Sequence, residues 1–199
     1  MVLVSETQLI QGVKAGEAVS FPTDTVPALA VKPSNAKLIY EIKQRPPTKP
    51  LILMGASLED LLPYIAGTPE ERDIWKAIAN KYFPGALTLV LPATDLVPAT
   101  MNPTNSQTIG IRIPASDTAR KILQCTGVLA TTSANLSGEV PLVTTQDINS
   151  AFPNLKVLES ETPNQPQGNG LPSTVVKWTG TNWQLLRQGS VVFDLTQTD

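Results

Sequence analysis

Signals for helix starts alternate with short apolar runs along this chain of 199 residues, and that alternation limits the possible folds more than any other feature. The clearest start is Thr68, because Pro69 takes the first helical position and Glu71 can complete a capping box. Between such starts lie continuous apolar runs, such as residues 51–54, which are typical of strands buried on both faces. The order predicts an α/β fold in which helices flank a sheet.

Individual elements follow from the same signals. Helices are expected at 6–14, 35–42, 69–82 and 117–126, after the caps Ser5, Ser34, Thr68 and Ser116, with a weaker helix at 147–152. Strands are expected at 18–21, 51–54, 87–91, 108–113 and 128–131, and a hairpin at 174–178 and 183–186. Residues 161–171 are expected to form a mobile loop or lid. Because no repeat or linker is found, residues 1–199 are expected to form a single domain.

Composition excludes several classes of chemistry. The chain has no histidine and one cysteine, Cys125, which rules out Ser-His-Asp and Cys-His catalysis, histidine zinc sites and disulfides within the chain. Cys125 is expected to be buried in a helix. The net charge of −2 excludes a broadly basic nucleic-acid binder. Neither a run of about 18 apolar residues nor a basic amino-terminal region is found, which predicts a cytoplasmic protein without a membrane span or signal peptide.

Residues 43–50 form a basic, proline-rich segment. It carries Lys43, Arg45 and Lys49, and no acidic residue follows until Glu59. Prolines at 46, 47 and 50 prevent a helix interior, which predicts a stiff, extended loop that displays the three cations. Arginine offers a planar fork of donors and lysine a point charge, so such a loop suits a polyphosphate. A solvated basic turn is the alternative.

A second polar segment, residues 131–138, follows the strand expected at 128–131. Ser133 and Asn135 place a hydroxyl and an amide at the carboxyl end of a buried strand. Ser137 and Gly138 permit a tight turn whose backbone amides face an anion. A structural turn would explain this segment by itself, but the two polar segments together point to a nucleotide.

The first expected strand ends in Thr23, Asp24 and Thr25. These residues can present hydroxyls and a carboxylate to a small polar ligand, or close the strand as an Asx or Ser/Thr turn. Asp24 is also the only carboxylate near the motifs that could hold Mg²⁺, directly or through water.

Arg112 lies inside an otherwise apolar strand. An unpaired buried guanidinium is costly, so this side chain needs a partner. Either a core carboxylate forms a salt bridge with it, or it holds the carboxylate of a ligand in a bidentate contact. Arg187, at the end of the last expected strand, leaves the same two interpretations open.

The ordered motifs of the chain resemble the YrdC-like family of threonylcarbamoyl-adenylate synthases, which start the t⁶A modification of tRNA. The match covers about residues 5–190. It is carried by Pro22-Thr23-Asp24-Thr25-Val26, Lys43-x-Arg45-Pro46-x-x-Lys49-Pro50-Leu51, Phe83-Pro84-Gly85-Ala86-Leu87-Thr88, Gly110-x-Arg112-x-Pro114, Ser133-Ala134-Asn135-x-Ser137-Gly138, Ser173-Thr174-Val175-Val176 and Leu186-Arg187-x-Gly189.

The resemblance implies a single-domain α/β fold: an open, twisted mixed sheet with flanking helices and a large concave site. It implies a nucleotidyltransferase that makes threonylcarbamoyl-AMP and pyrophosphate from ATP, L-threonine and bicarbonate, with Mg²⁺ accompanying ATP. It also implies that downstream t⁶A transferase machinery uses the product. tRNA or double-stranded RNA is a further partner that the resemblance suggests.

The resemblance also implies roles for individual residues. The catalytic tetrad around the triphosphate would be Lys43, Arg45, Ser133 and Asn135. Further ATP-binding positions would be Lys49, Thr108, Pro141 through its backbone, and Arg187. The threonine pocket would contain Thr23 or Thr25, Arg112 on the amino acid's carboxylate, Thr131 through its backbone, and Ser173. No residue is assigned to a metal held by the protein.

One stretch departs from the family pattern. The family continues Thr-Asp-Thr-Val with Tyr-Gly-Leu, whereas this chain has Pro27-Ala28-Leu29, and Met54 stands where some members place a histidine that touches threonine. Pro27 fixes φ and Ala28 disfavours positive φ, so a more constrained loop after Thr25 is expected. A second hypothesis therefore stays open: a paralogue that binds nucleotide or RNA on the concave face, with altered or absent synthase activity.

Overall fold

Ten strands form one mixed sheet in the computed structural model, which describes residues 2–104 and 107–195. The strands are β1 Val2–Val4, β2 Val19–Phe21, β3 Ala28–Val31, β4 Ile52–Met54, β5 Leu87–Pro92, β6 Thr108–Arg112, β7 Leu129–Ser133, β8 Lys156–Leu158, β9 Thr174–Trp178 and β10 Trp183–Arg187. Their order across the sheet is β1-β8-β2-β3-β7-β4-β6-β5-β9-β10. The pairs β1/β8, β2/β8, β4/β6 and β5/β9 are parallel and the other neighbours antiparallel. The predicted α/β class with an open mixed sheet is confirmed.

Helices connect many of these strands. They are α1 Glu6–Lys14, α2 Lys37–Ile42, α3 Leu58–Leu61, α4 Pro69–Tyr82, α5 Asp117–Thr126 and α6 Thr145–Ala151, with short 3₁₀ turns at Pro33–Asn35, Leu62–Tyr64 and Ala99–Met101. Ser5 and Thr68 cap α1 and α4 as predicted, and Thr68 completes the predicted capping box. Ser5 completes one as well, with Gln8. The expected cap at Ser34 is wrong. Ser34 lies inside a 3₁₀ turn, and α2 begins at Lys37 without a side-chain cap.

Three strands lack a clear signal in the sequence: β1, β3 and β8. β3 lies between β2 and β7 and pairs antiparallel with both, with Ala28 opposite Phe21 on one side and Ser133 on the other. β3 is only four residues long, and one of its partners, β7, is distant in sequence. The local sequence pattern therefore did not distinguish β3 from the loop before it.

The two faces of the sheet are covered differently. One face packs on a large apolar cluster in which Leu53 of β4 and Ile111 of β6 join Trp75 of α4. On the opposite face, α1 and α5 form a smaller cluster with β2, β3 and the start of β7. Met54 belongs to this smaller cluster and also lines a cavity, which marks where the helical cover ends on that face. The cavity therefore lies over the end of β7 and over β4, β6, β5 and β9, beside the helices α1 and α5.

Cys125 lies on α5 and is exposed, so the expectation that it is buried is wrong. The buried residues of α5 are Ala119, Ile122 and Leu123, and Cys125 lies beside that stripe. Residues 161–171 form turns and bends without regular structure, as expected of a loop. No helix in the described ranges is long and apolar enough to cross a bilayer.

Candidate active site

A cavity of about 760 Å³ opens on the sheet face that α1 and α5 leave uncovered. It brings together segments that are far apart in the chain. Of the site residues predicted from sequence, those that line it are Thr23, Thr25, Arg45, Lys49, Thr108, Arg112, Thr131, Ser133, Asn135, Pro141, Ser173 and Arg187. Lys43 and Asp24, the carboxylate considered for Mg²⁺, do not line it.

The strand register explains the cavity floor. Thr131 of β7 pairs with Ile52 of β4, which pairs with Gly110 of β6, and this row continues through Val90 to Lys177. Paired residues point to the same face of a sheet, so the row forms one band of the floor. A Cβ at Gly110 would lie 2.7 Å from the Ile52 side chain, so there is no room for a side chain at this point of the floor.

Lys43 is buried rather than displayed, which corrects the expectation of three cations on an extended loop. It caps the end of α2, its residue is 1% exposed, and the chain then reverses at Gln44, where φ is 48°. Its Nζ donates to the backbone carbonyl of Ser133 and, at 3.2 Å, to Oδ1 of Asn135. Burial lowers the pKa of Lys43 to about 7, and the charges of Arg45 and Lys49 add to the effect.

Asn135 organises the loop after β7. Its Oδ1 accepts from Oγ of Ser133 at 2.5 Å, and its Nδ2 donates to the carbonyls of Leu136 and Glu139 at 2.7 and 2.8 Å. Gly138 takes a φ of 93°, as the expected tight turn requires. The Asn135 amide therefore holds the loop in shape, while Ser133 and Asn135 both border the cavity.

Arg45 lies at the edge of the cavity beside Lys49. Its Nε donates to the carbonyl of Lys49 at 3.1 Å, and its Nη2 to the carbonyl of Pro50 at 2.9 Å. These contacts fix the side chain and use two of its five N–H groups, so three remain for a ligand. The basic loop is thus braced by one of its own cations.

Arg112 has the ion-pair partner that its position demands. Its Nη2 lies 2.7 Å from Oδ1 of Asp24, its Nη1 donates to Oγ1 of Thr25 at 2.8 Å, and its Nε donates to the carbonyl of Gly85 at 3.0 Å. Burial lowers the pKa of Arg112, and the charge of Asp24 opposes that shift. The salt-bridge interpretation is therefore correct. The same guanidinium also lines the cavity, so a contact with a ligand carboxylate stays a prediction.

Ser173 and Arg187 form a second polar group on the cavity wall. Nε and Nη2 of Arg187 donate to the carbonyl of Ser173 at 3.2 and 2.8 Å. Oγ of Ser173 is hydrogen-bonded to Oγ1 of Thr88 at 2.8 Å. Thr88 borders the cavity and was not among the predicted site residues. A polar residue in an apolar strand, the pattern that singled out Arg112, was the signal available for it.

Positive charge is in excess around the cavity. Lys177, also missed from sequence, lines it together with Arg45, Lys49 and Arg187, and none of these four is in an ion pair with another described residue. Glu139 is the acidic residue on the wall. Such a wall attracts polyanions, because its low-dielectric surroundings focus the field. Within the described ranges, no group of three His, Cys, Asp or Glu side chains could hold a metal ion.

Ala28, one of the residues that depart from the family pattern, borders the cavity from the first position of β3. It does not take a positive φ. Pro27 precedes it, and the Pro27 carbonyl accepts a hydrogen bond from the amide of Ala134 at 3.0 Å. The departing pair thus touches both the cavity and the loop that contains Asn135.

The sequence matches known proteins over nearly its whole length. The family model described as "Telomere recombination", which takes in Sua5, YciO and YrdC, matches residues 11–189. The threonylcarbamoyl-AMP synthase of Vibrio campbellii is 32% identical over 191 residues, which are 92% of this chain and 97% of that protein. That of Pyrococcus abyssi is 37% identical over 131 residues, but these are 64% of this chain and only 37% of the longer protein.

Solved structures agree with the sequence match. Sua5 of P. abyssi complexed with L-threonine has a TM-score of 0.82 at 28% identity, covering 95% of this chain and 57% of that chain. YciO of E. coli has a TM-score of 0.77 at 23% identity, covering 92% and 88% of the two chains, and shows the fold alone. The extent of the family match, together with the shared fold, shows that this chain belongs to the Sua5/YciO/YrdC family.

Proposed function

We propose that this chain is an L-threonylcarbamoyladenylate synthase that makes threonylcarbamoyl-AMP and pyrophosphate from ATP, L-threonine and bicarbonate for the t⁶A modification of tRNA. The observation that carries the proposal is one cavity that joins Arg112, suited to a carboxylate, to the cations Arg45, Lys49 and Arg187. Relatives support it. The V. campbellii relative named a threonylcarbamoyl-AMP synthase is matched over almost its full length, and a related Sua5 was solved with L-threonine.

The chemistry suits a chain without histidine. The amino group of threonine combines with bicarbonate, with loss of water, to give a carbamate. A carbamate oxygen then bonds to the α-phosphorus of ATP as the bond to pyrophosphate breaks. Because an anion attacks an anion, positioning and cationic stabilisation supply most of the rate gain, and no side-chain nucleophile is needed.

The residues divide the work by their chemistry. Arg45 and Lys49 are the groups that can neutralise the triphosphate, with Ser133, Thr108, Pro141 and Arg187 completing the nucleotide side. Arg112 would hold the threonine carboxylate, with Thr23 or Thr25, Thr131 and Ser173 around the amino acid. Lys43 would act from behind this wall and Asn135 from its border, because both fix the position of Ser133.

Mg²⁺ would arrive as part of the ATP complex. Asp24, the carboxylate considered for it from sequence, is ion-paired with Arg112 and is not among the residues that border the cavity. Glu139 is the carboxylate on the wall. Mg²⁺ commonly keeps several waters and binds substrate phosphates, so few protein ligands are required.

The direct test is an assay of the purified protein with MgATP, L-threonine and bicarbonate. We expect pyrophosphate and threonylcarbamoyl-AMP in equal amounts, and neither when any one substrate is omitted. Tight nucleotide binding without either product would favour the paralogue hypothesis, which the departure at Pro27 and Ala28 supports. In that case the exposed Lys49 and the cations of the wall should be tested for binding to tRNA and double-stranded RNA, with the salt dependence measured.

Transfer to tRNA would need further partners. The adenylate is a reactive mixed anhydride, so we propose that downstream t⁶A transferase machinery consumes it. A cytoplasmic location fits this role, since tRNA modification requires access to tRNA. Addition of that machinery and tRNA to the assay should convert the adenylate into modified tRNA and release AMP.

A further inference from the structure

Asp24 is next to the site but does not border it. Its carboxylate is ion-paired with Arg112, yet Asp24 is absent from the residues that line the cavity, whereas Thr23 and Thr25 on either side of it are present. We infer that Asp24 is a positioning residue, which sets the orientation of the Arg112 guanidinium for the carboxylate of the amino-acid substrate. This inference rests on the proposed function.

The guanidinium is held in one plane by three different acceptors. Its Nη2 donates a hydrogen bond to Oδ1 of Asp24 at 2.7 Å, and its Nη1 donates to Oγ1 of Thr25 at 2.8 Å. Its Nε donates to the carbonyl of Gly85 at 3.0 Å. Five N–H groups are available in arginine, so two remain for a ligand. With the plane fixed, those two groups point in set directions, and a carboxylate can be received without further loss of side-chain freedom.

The loop that carries Asp24 is itself anchored by a strap, which we define as residues 167–173. The amide of Asn169 donates to the carbonyl of Asp24 at 3.1 Å, and that of Gly170 to the carbonyl of Thr25 at 2.9 Å. Gly168 packs so closely that a Cβ would lie 2.3 Å from the Thr25 carbonyl oxygen. The strap therefore leaves the Asp24 loop little room to move.

Charge alone would not require this arrangement. Asp24 compensates the buried charge of Arg112, so the pair attracts an anion less strongly than a free guanidinium would. The ion pair instead fixes the orientation of the Arg112 guanidinium toward the ligand. An Asp24→Asn variant keeps an oxygen that can accept from Nη2 but lacks the charge, whereas Asp24→Ala lacks both. The two variants therefore separate orientation from charge compensation.

The test is calorimetric binding of L-threonine to wild type, Asp24→Ala and Asp24→Asn, in the presence of an ATP analogue that cannot be cleaved between the α- and β-phosphates. We expect Asp24→Ala to weaken threonine binding about tenfold or more and Asp24→Asn to weaken it less than about threefold. Binding of the ATP analogue should be unchanged in both. A purely structural role would lower the melting temperature of both variants without separating their threonine affinities.

A strap variant gives an independent test that leaves Asp24 intact. Gly168→Ala should displace the Asp24 loop and weaken threonine binding. Gly127→Ala is the matched control, because Gly127 has a φ of 78° against 73° for Gly168, with nothing within 4 Å of its Cβ position. If wild type, Asp24→Ala and Gly168→Ala bind threonine equally well, the inference about Asp24 is wrong and the proposed function is unaffected. A wild type that binds no threonine overturns the proposed function as well.

Discussion

The ammonium group of Lys43 donates a hydrogen bond to the backbone carbonyl of Ser133, a residue 90 positions further along the chain. A second contact, from the amide of Ser137 to the carbonyl of Lys43 at 3.1 Å, joins the same two segments through their backbones. The basic loop and the loop after β7 are thus one unit. The side chain of Lys43 is buried within that unit, so under the proposed function it would act on a bound triphosphate through its field and through the position of Ser133.

The first prediction concerns the protonation of Lys43. Its pKa is lowered to about 7, so the ligand-free protein loses this charge as pH rises through neutrality. A triphosphate favours the ammonium form and should raise that pKa, so MgATP binding should take up a proton above about pH 7. Calorimetry in buffers of different ionisation enthalpy measures this uptake. Lys43→Met should abolish it, and a wild-type affinity for MgATP that does not fall as pH rises would contradict the prediction.

The same shift has a consequence for the stability of the ligand-free protein. The ordinary pKa of 10.5 describes the unfolded state, and the folded value is about 7. Between these values the unfolded chain binds the extra proton, so the contribution of Lys43 makes the free energy of unfolding rise with pH. Urea unfolding of wild type and Lys43→Met at about pH 7 and about pH 9 should show a smaller rise in the variant. Parallel pH dependence in the two proteins would mean that Lys43 stays charged.

If the proposed function holds, Arg45→Ala should weaken ATP binding and lower turnover by about 10²-fold or more, because its guanidinium would then meet phosphate charge that grows in the transition state. Arg72→Ala is a matched control. Arg72 also donates to two backbone carbonyls, those of Gly67 and Ile65 at 3.2 and 2.7 Å, but it does not border the large cavity. Comparable losses of stability with a loss of turnover only in Arg45→Ala would support the prediction. Equal turnover in both variants would mean that Arg45 only stabilises its own loop, through its hydrogen bonds to the carbonyls of Lys49 and Pro50.

Arg112→Lys should raise the Michaelis constant for threonine by about 10- to 100-fold and that for ATP much less, since a lysine cannot reproduce the fork. The variant also loses contacts with Thr25 and Gly85, so some fall in melting temperature is expected. Steady-state kinetics with each substrate varied in turn separate the two effects. A lower melting temperature with an unchanged Michaelis constant for threonine would mean that Arg112 serves only its salt bridge with Asp24.

Local signals predicted several of the elements whose causes are local, although α3, which begins with a capping box at Ser57, was missed. The cap at Ser5 and the capping box at Thr68 predicted the starts of α1 and α4, and the predicted end of α5 before Gly127 was also correct. β1 and β8 were missed, because each is three residues long and they are stabilised by pairing with each other across the chain. Such pairing leaves no periodic pattern to read.

The sequence predicted many of the residues that line the cavity, but not how they are arranged there. Residue type and strand position identified Arg112 as needing a partner, but Asp24 lies 88 residues away and only the fold brings them together. The burial of Lys43 was missed for a related reason. Its charge and the prolines that follow suggested an exposed loop, whereas the turn at Gln44 directs it inward. Sequence shows which groups need partners, and tertiary structure decides which partners they find.

The last prediction concerns Pro27 and Ala28, where the chain departs from the family pattern. If the synthase is active but slow, Pro27→Tyr combined with Ala28→Gly should improve threonine use without changing ATP affinity, because Ala28 borders the cavity next to the Thr23–Thr25 loop. Ala28 lies in β3 without a positive φ, so Ala28→Gly alone should cost about 0.5–1 kcal/mol of stability and serves as the control for that loss. Threonine titrations at saturating ATP, with unfolding measured in parallel, make the comparison. A gain confined to ATP affinity, or a loss of stability with no gain, would show that the departure does not limit threonine use.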